Sequence, residues 1–388
     1  MTGREPARSP DALLDRARAA LPGRAAATGV APGRINVLGE HTDYIGGLAL
    51  PTAVDRWCAV ALQPREDATL RIQALDLDEE WSGPIGEVPA APSWVRTMAG
   101  AIRVFHDAHP LRAGFEAAVT GDVPRGGGLS SSAALCLAWL NALQALHGTA
   151  FDDLRLARMG QQVEHQWTGV KCGLLDQVAS QCSTGAGLLQ VDFRSLDLQP
   201  VTGDLGDVAW LVLDTGVRRE LAASAYAERV AQVADGLLRV QARRPVPDWR
   251  LLREDDLIHG DLLDQRLRHG VTENRRVAAG ARAVEQGDAQ ALGALLDQSH
   301  RSLRDDYGVS CDELDCFVEH ARAQAGCLGA RMMGGGFGGC ALALVEADAA
   351  HEIGRVALER YSARFPHRAE AFVVRPVRGA TGAREGGA

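Results

Sequence analysis

Between Gly33 and Pro51 the chain reads GRINVLGEHTDYIGGLALP, which sets Arg34, Glu40, His41 and Asp43 between glycines in an otherwise apolar run. Two carboxylates, an imidazole and a guanidinium on one short segment supply several hydrogen-bond acceptors beside a permanent cation. A turn whose Asp and His side chains bond their own backbone is the plain alternative. A second stretch, GDVPRGGGLSSSAAL, runs Gly126, Gly127 and Gly128 through Leu129 into Ser130, Ser131 and Ser132. Glycines allow N–H groups to surround a phosphate, and a helix starting at the serines adds free donors and the positive end of its dipole. No lysine follows, so this is not a Walker A loop, and a glycine-rich turn with a serine N-cap is the competing reading. A third stretch, RMMGGGFGGCALALV, carries Gly335 and Gly336 and lets backbone of the second half approach a ligand held by the first. In VEHQWTGVKCGLLDQVASQ, Glu164 ends one helix pattern and Asp176 lies in the apolar run LLDQVA, where it needs a cation or a ligand if buried.

Composition narrows the partners. The 388 residues are 46% hydrophobic and 23% charged, which suits two domains with sizeable cores. The formal net charge of -9, with no Lys/Arg-rich block, argues against a nucleic-acid surface. Lys171 is the only lysine, so any other fixed positive charge at a site must be an arginine, which draws attention to Arg34. The eight cysteines lack paired spacing and read as reduced thiols of a cytoplasmic protein. The N-terminus lacks a signal-peptide core, and no apolar run has membrane-spanning length, so no membrane partner is expected.

The elements that position these residues alternate between strand and helix, giving an α/β or α+β body. Asn36–Leu38 and Leu48–Leu50 read as short strands flanking the polar cluster, which places it on a loop. Residues 57–64 and 68–75 alternate like a hairpin. Residues 134–148 and 152–169 have helical spacing, the first ended by glycine and the second started by aspartate. Residues 341–345, 348–365 and 370–377 form a strand, helix, strand series like half of a ferredoxin-like domain. The tail RGATGAREGGA, from about residue 379, reads as disordered by composition.

Together the four segments resemble the motifs of the GHMP small-molecule kinases. The opening stretch resembles their galactokinase branch, whose signature is approximately GRxNLxGEHTDYNxGxVLP. PRGGGLSSSAA, CGLLDQ against the family's CGIMDQ, and MMGGGFGGC against MTGGGFGGC follow in the family order, so that the likeness covers roughly residues 28–378. The resemblance implies an α+β, two-domain GHMP kinase fold, with a ribosomal-protein-S5-like domain over 1–203 and a ferredoxin-like domain over 204–388. It implies ATP-dependent phosphorylation of the C1 hydroxyl of galactose by a monomer, with Mg2+ as cofactor and ATP as co-substrate. Carried over by motif, Asp176 is the general base and Arg34 its partner, holding it ionised and neutralising charge during transfer. Glu40, His41, Asp43, Gly173 and Tyr226 contact the sugar. Gly126–Ser131 with Gly335 and Gly336 hold ATP phosphates, and Ser132 and Glu164 hold magnesium.

Departures from the pattern are Ile45 in place of asparagine and Lys171 in place of proline. ELAASAYAERVAQV keeps Tyr226 but loses several residues of LxxSxYNxRRxxCE, and WVRTMAG, beginning at Trp94, loses the tyrosine and lysine of WxNYVKG. Related non-catalytic galactose sensors lack the Ser–Ala step after the glycines, which SSSAA keeps, so an enzyme is favoured. Arabinose or N-acetylgalactosamine remain alternative substrates, whereas a uronate would be repelled by Glu40 and Asp43.

Overall fold

The structure is a computed structural model that describes residues 8–85, 93–169, 172–218 and 222–385. Lys171 lies outside them. The first half comprises α1 (Asp11–Ala19), β1 (Ala27–Asn36), β2 (Leu48–Ala49), β3 (Pro51–Pro64), β4 (Thr69–Ala74), β5 (Glu79–Pro84), α2 (Ser93–Ala108), β6 (Phe115–Gly121), α3 (Ser131–His147), α4 (Asp153–Val163), α5 (Leu175–Cys182), β7 (Leu188–Asp192) and β8 (Asp197–Val201). The second comprises β9 (Val208–Asp214), α6 (Ala222–Arg243), α7 (Leu262–Glu285), α8 (Ala289–Ser302), α9 (Asp312–Arg322), β10 (Cys327–Met333), β11 (Cys340–Glu346), α10 (Ala350–Ser362), β12 (Glu370–Val374) and β13 (Thr381–Arg384).

Three sheets result, ordered β13-β1-β3-β6-β4-β5, β10-β11-β9-β12 and β2-β7-β8. The second has the strand order of a ferredoxin-like sheet, with α10 connecting β11 to β12 as the sequence predicts. Small apolar residues without β-branching make α3 a helix that packs closely on the first sheet, burying Trp139 and Leu140. Gly148, left-handed at φ 64°, ends α3, and the Asp152 carboxylate accepts from the Arg155 amide to start α4.

Two expectations fail. Residues 57–64 and 68–75 are not a hairpin, because β6 lies between them, antiparallel to β3 and parallel to β4. Strand β3 is buried along nearly its whole length and needs a partner on each edge, which β1 and β6 supply. The tail is also ordered as far as Glu385, the last described residue: β13 pairs with β1 in the register Ala27↔Arg384 to Val30↔Thr381. Its glycine and alanine content serves close approach, since a Cβ on Gly382 would lie 2.2 Å from the Asn141 carbonyl oxygen of α3. Glu385 then accepts from Arg18 Nε at 2.8 Å and Thr28 Oγ1 at 3.2 Å.

Candidate active site

Strand β1 ends at Asn36, and the chain returns through backbone bonds from Val37 N to Leu50 O (3.1 Å) and Leu50 N to Leu38 O (2.8 Å). The polar cluster is therefore on a loop clamped at its base. It opens into a cavity of about 600 Å³ whose wall also takes in the glycine loop before α3, the start of α5, α6 and the loop between β10 and β11. Arg34, Glu40, His41, Asp43, Gly126, Gly128, Glu164, Gly173, Asp176, Tyr226, Gly335 and Gly336 all line it. Gly127, Leu129, Ser130, Ser131 and Ser132 are not among the lining residues: Leu129 is fully buried, while Ser131 and Ser132, partly exposed, begin α3.

Arg34 is only 4% exposed and donates to Asp176 Oδ1 from Nε at 2.9 Å, with Nη2 2.7 Å from the same oxygen. Its Nη1 reaches the Gly128 carbonyl. One guanidinium thus ties the carboxylate at the start of α5 to the glycine loop. Both of these contacts fall on Oδ1, and the Asp176 side chain, lining the cavity, keeps 30% exposure.

The glycine loop carries φ values of 65° at Gly126 and 78° at Gly128. Ser130 occupies the N-cap position of α3 but is itself left-handed (φ 59°), and its side chain makes no capping bond. Its buried Oγ has no partner. The serine N-cap reading therefore fails, and the first amides of α3 keep free donors for an anion. His41 (φ 60°) and Phe337 (φ 60°) also take this unfavourable conformation. All three lie on loops that contribute to the cavity wall, where strain tends to be kept for function.

On the sugar-signature side, Asp43 accepts from the Tyr44 amide at 3.0 Å and the Leu175 amide at 3.3 Å. Burial pushes its pKa from 3.8 to about 6, the Leu175 amide opposing and the Asp176 charge adding to the rise. Gly173 leaves the room Asp43 needs, for a Cβ there would sit 1.7 Å from Asp43 Oδ2. His41 is held neutral by burial, its pKa lowered to about 3, with the neighbouring His269 charge adding. It lies among Tyr226, Tyr307 and Tyr44, with centroids 5.4, 4.7 and 6.0 Å away, and bonds the Tyr44 hydroxyl through Nδ1 at 3.0 Å. Ile45 turns away from the cavity into the apolar cluster that includes Trp249. Trp94 does not line the cavity, and its indole donates to Glu79 Oε2 at 2.6 Å.

Glu164 begins a single π-helical turn, Glu164–Thr168, that extends α4. Burial raises its pKa, the Asp176 charge raises it further, and the Cys172 thiol, the nearby Ser132 hydroxyl and Arg34 lower it. A desolvated carboxylate facing a second carboxylate is where a divalent cation fits. Among the described residues no group of three or more His, Cys, Asp and Glu side chains could hold a metal unaided. One carboxylate and one hydroxyl are the donor set of an ion that takes its remaining ligands from phosphates and water.

Sequence reasoning missed Asp214 and Arg218. They pair at 2.6 Å and press on the glycine loop, where a Cβ on Gly127 would meet Asp214 Oδ2 at 2.7 Å. Arg218 Nε also donates to the Arg125 carbonyl at 2.8 Å.

The fold and the cavity together define a GHMP kinase. Matching family models are the galactokinase galactose-binding signature over residues 20–64, the GHMP kinases N terminal domain over 96–184 and the GHMP kinases C terminal domain over 281–363. The chain is 39% identical over 328 residues to a galactokinase of Exiguobacterium sibiricum, spanning 82% of this chain and 84% of that one. It is 39% identical over 342 residues to a galactokinase of Homo sapiens, spanning 85% and 86%. A solved Lactococcus lactis galactokinase complexed with galactose matches with a TM-score of 0.88 at 33% identity, over 96% of this chain and 99% of that one. Methanococcus jannaschii mevalonate kinase shares the fold alone, with a TM-score of 0.68 at 17% identity over 92% and 100%. The chain belongs to the galactokinase family. Among its described residues, no helix is long and apolar enough to cross a membrane.

Proposed function

We propose that this chain transfers the γ-phosphoryl group of ATP to the C1 hydroxyl of galactose, releasing ADP and galactose 1-phosphate. The observation that carries the reading is the Arg34 guanidinium, which joins Asp176 on one side and the Gly128 carbonyl on the other. It places a proton acceptor and a phosphate loop on one cation. Asp176 Oδ2 takes the hydroxyl proton as the C1 oxygen bonds phosphorus and the bond to the ADP oxygen breaks. Arg34 offsets charge on the group in flight. Glu40 and Asp43 accept from sugar hydroxyls, Tyr226 packs on the ring, and Gly126–Ser131, Gly335 and Gly336 cradle the nucleotide phosphates. Ser132 and Glu164 would hold Mg2+, which supplies neutralising charge to the β- and γ-phosphate oxygens.

The intact Asp176, Arg34 and SSSAA support catalysis over sensing. The eight cysteines are free thiols, in keeping with a cytoplasmic enzyme. The test is an ADP-release screen of galactose, arabinose, galactosamine, N-acetylgalactosamine and glucose with ATP, in magnesium and in excess chelator. Galactose with magnesium should show the highest kcat/KM. Preference for another sugar overturns the substrate assignment, and full turnover in chelator removes the metal from the reading.

A further inference from the structure

The sugar-signature loop belongs to the first half of the chain, but most of what holds it belongs to the second. Arg331 of β10, fully buried, donates from Nη1 to the Val37 carbonyl at 2.8 Å and brings Nη2 to 3.1 Å from Glu40 Oε1. The Gly334 amide donates to the same oxygen at 2.8 Å. Behind Arg331, the fully buried Glu273 of α7 lies 3.8 Å from its Nη1, accepts from the Gly39 amide at 2.8 Å and from Ser299 Oγ at 2.8 Å, and pairs with Arg276 Nε at 2.6 Å. His269, also on α7, contacts the Glu40 carbonyl through Nε2 at 3.0 Å.

Glu40 is thus gripped at its carbonyl and at one carboxylate oxygen. Every polar contact shown for its carboxylate is on Oε1, while the residue lines the cavity, so Oε2 is the oxygen left for a ligand. A carboxylate oxygen bonded by a backbone amide, with a buried guanidinium nitrogen anchored beside it, is held from rotating to present its oxygens differently. We infer that Arg331, braced by Glu273, is a positioning residue for sugar recognition, setting the orientation of Glu40 so that Oε2 meets a galactose hydroxyl. The inference rests on the proposed role of Glu40 as a sugar acceptor. It makes recognition by the first half conditional on docking of the second. Preorganisation of this kind acts on affinity for the ligand the carboxylate meets and leaves the nucleotide subsite alone.

Arg331→Lys retains the buried charge but loses the fork, so it can satisfy Glu40 or the Val37 carbonyl but not both in the present geometry. Its galactose KM should rise about tenfold, with the ATP KM within about twofold and kcat within about threefold of the unsubstituted enzyme. Glu273→Gln loosens the brace without touching Arg331 and should give the same signature, smaller, so the inference stays testable if the lysine variant does not fold. The decisive measurement is a cycle with Glu40→Gln. If Arg331 acts through Glu40, adding Arg331→Lys or Glu273→Gln to Glu40→Gln raises the galactose KM no further. A galactose KM unchanged in both Arg331→Lys and Glu273→Gln overturns the positioning role, as do losses that multiply in the double variants. An unchanged galactose KM in Glu40→Gln itself overturns the sugar-acceptor reading first, and this inference with it.

Discussion

Gly173→Ala isolates the geometry of Asp43. Gly173 is not among the left-handed positions, so alanine strains no backbone there. The added methyl would sit 1.7 Å from Asp43 Oδ2 and 2.1 Å from Cγ, and ordinary contact begins at 3.4 Å, so the carboxylate must withdraw by about 1.7 Å. That displacement breaks its bonds to the Leu175 and Tyr44 amides and removes it from its place beside the sugar subsite. A hydrogen bond to a charged acceptor is worth about 1.5 to 3 kcal/mol, which converts to roughly 10- to 150-fold in affinity. In an ADP-release assay with galactose and ATP varied separately, the galactose KM should rise by about that factor while the ATP KM stays within about twofold. Asp43→Asn combined with Gly173→Ala should be little worse than the worse single variant, because all three of the closest clashes of the methyl are with that side chain. A Gly173→Ala enzyme with wild-type galactose KM and a cooperative melt would refute both the steric argument and the assignment of Asp43 to the sugar.

Two other outcomes follow from the site. Asp176→Asn and Arg34→Ala should each lower kcat by about 10² to 10⁴, and their effects should not multiply, because the pair acts as one unit; retention of more than about a tenth of kcat in Asp176→Asn sends the proton elsewhere. Since the folded pKa of Asp43 is raised from 3.8 to about 6, the folded protein holds a proton in that window that the unfolded chain has released. The carboxylate therefore weakens the fold as pH rises through the window, fully so above it. Asp43→Asn should raise the melting midpoint at pH above 6, with the gain vanishing below 3.8, while galactose kcat/KM of the unsubstituted enzyme climbs through about 6. A melting difference independent of pH rejects the titration.

The parts legible in the sequence are those whose chemistry is local. GEHTDY sits on a loop because glycines and short strands bracket it, GGGLSSSAA leads into a helix, and Asp176 on an apolar face does find a cation in Arg34. What escaped is non-local. Nothing in LLDQRLRHGVTENRR distinguishes Glu273 and His269 from the solvated residues of an ordinary charged helix, since their partners lie 234 and 229 positions away. Arg331 left one usable sign, a lone arginine before a glycine run in a chain with one lysine. The order of β3, β6 and β4 was hidden because alternation specifies a strand without naming its neighbour. The tail misled because glycine and alanine signal disorder by composition, yet here they let β13 lie against α3.

That last strand has a consequence for how the protein is made. β1 leaves the ribosome long before the partner that covers its outer edge, Thr381–Arg384, is synthesised. Until that strand is made, the first sheet therefore carries an unpaired edge of the kind that invites wrong partners. Arg331, which grips Glu40, also emerges late. A nascent chain stalled before β10 would lack the Arg331 and Gly334 contacts to Glu40, so the signature loop reaches its final geometry only after the second half is made.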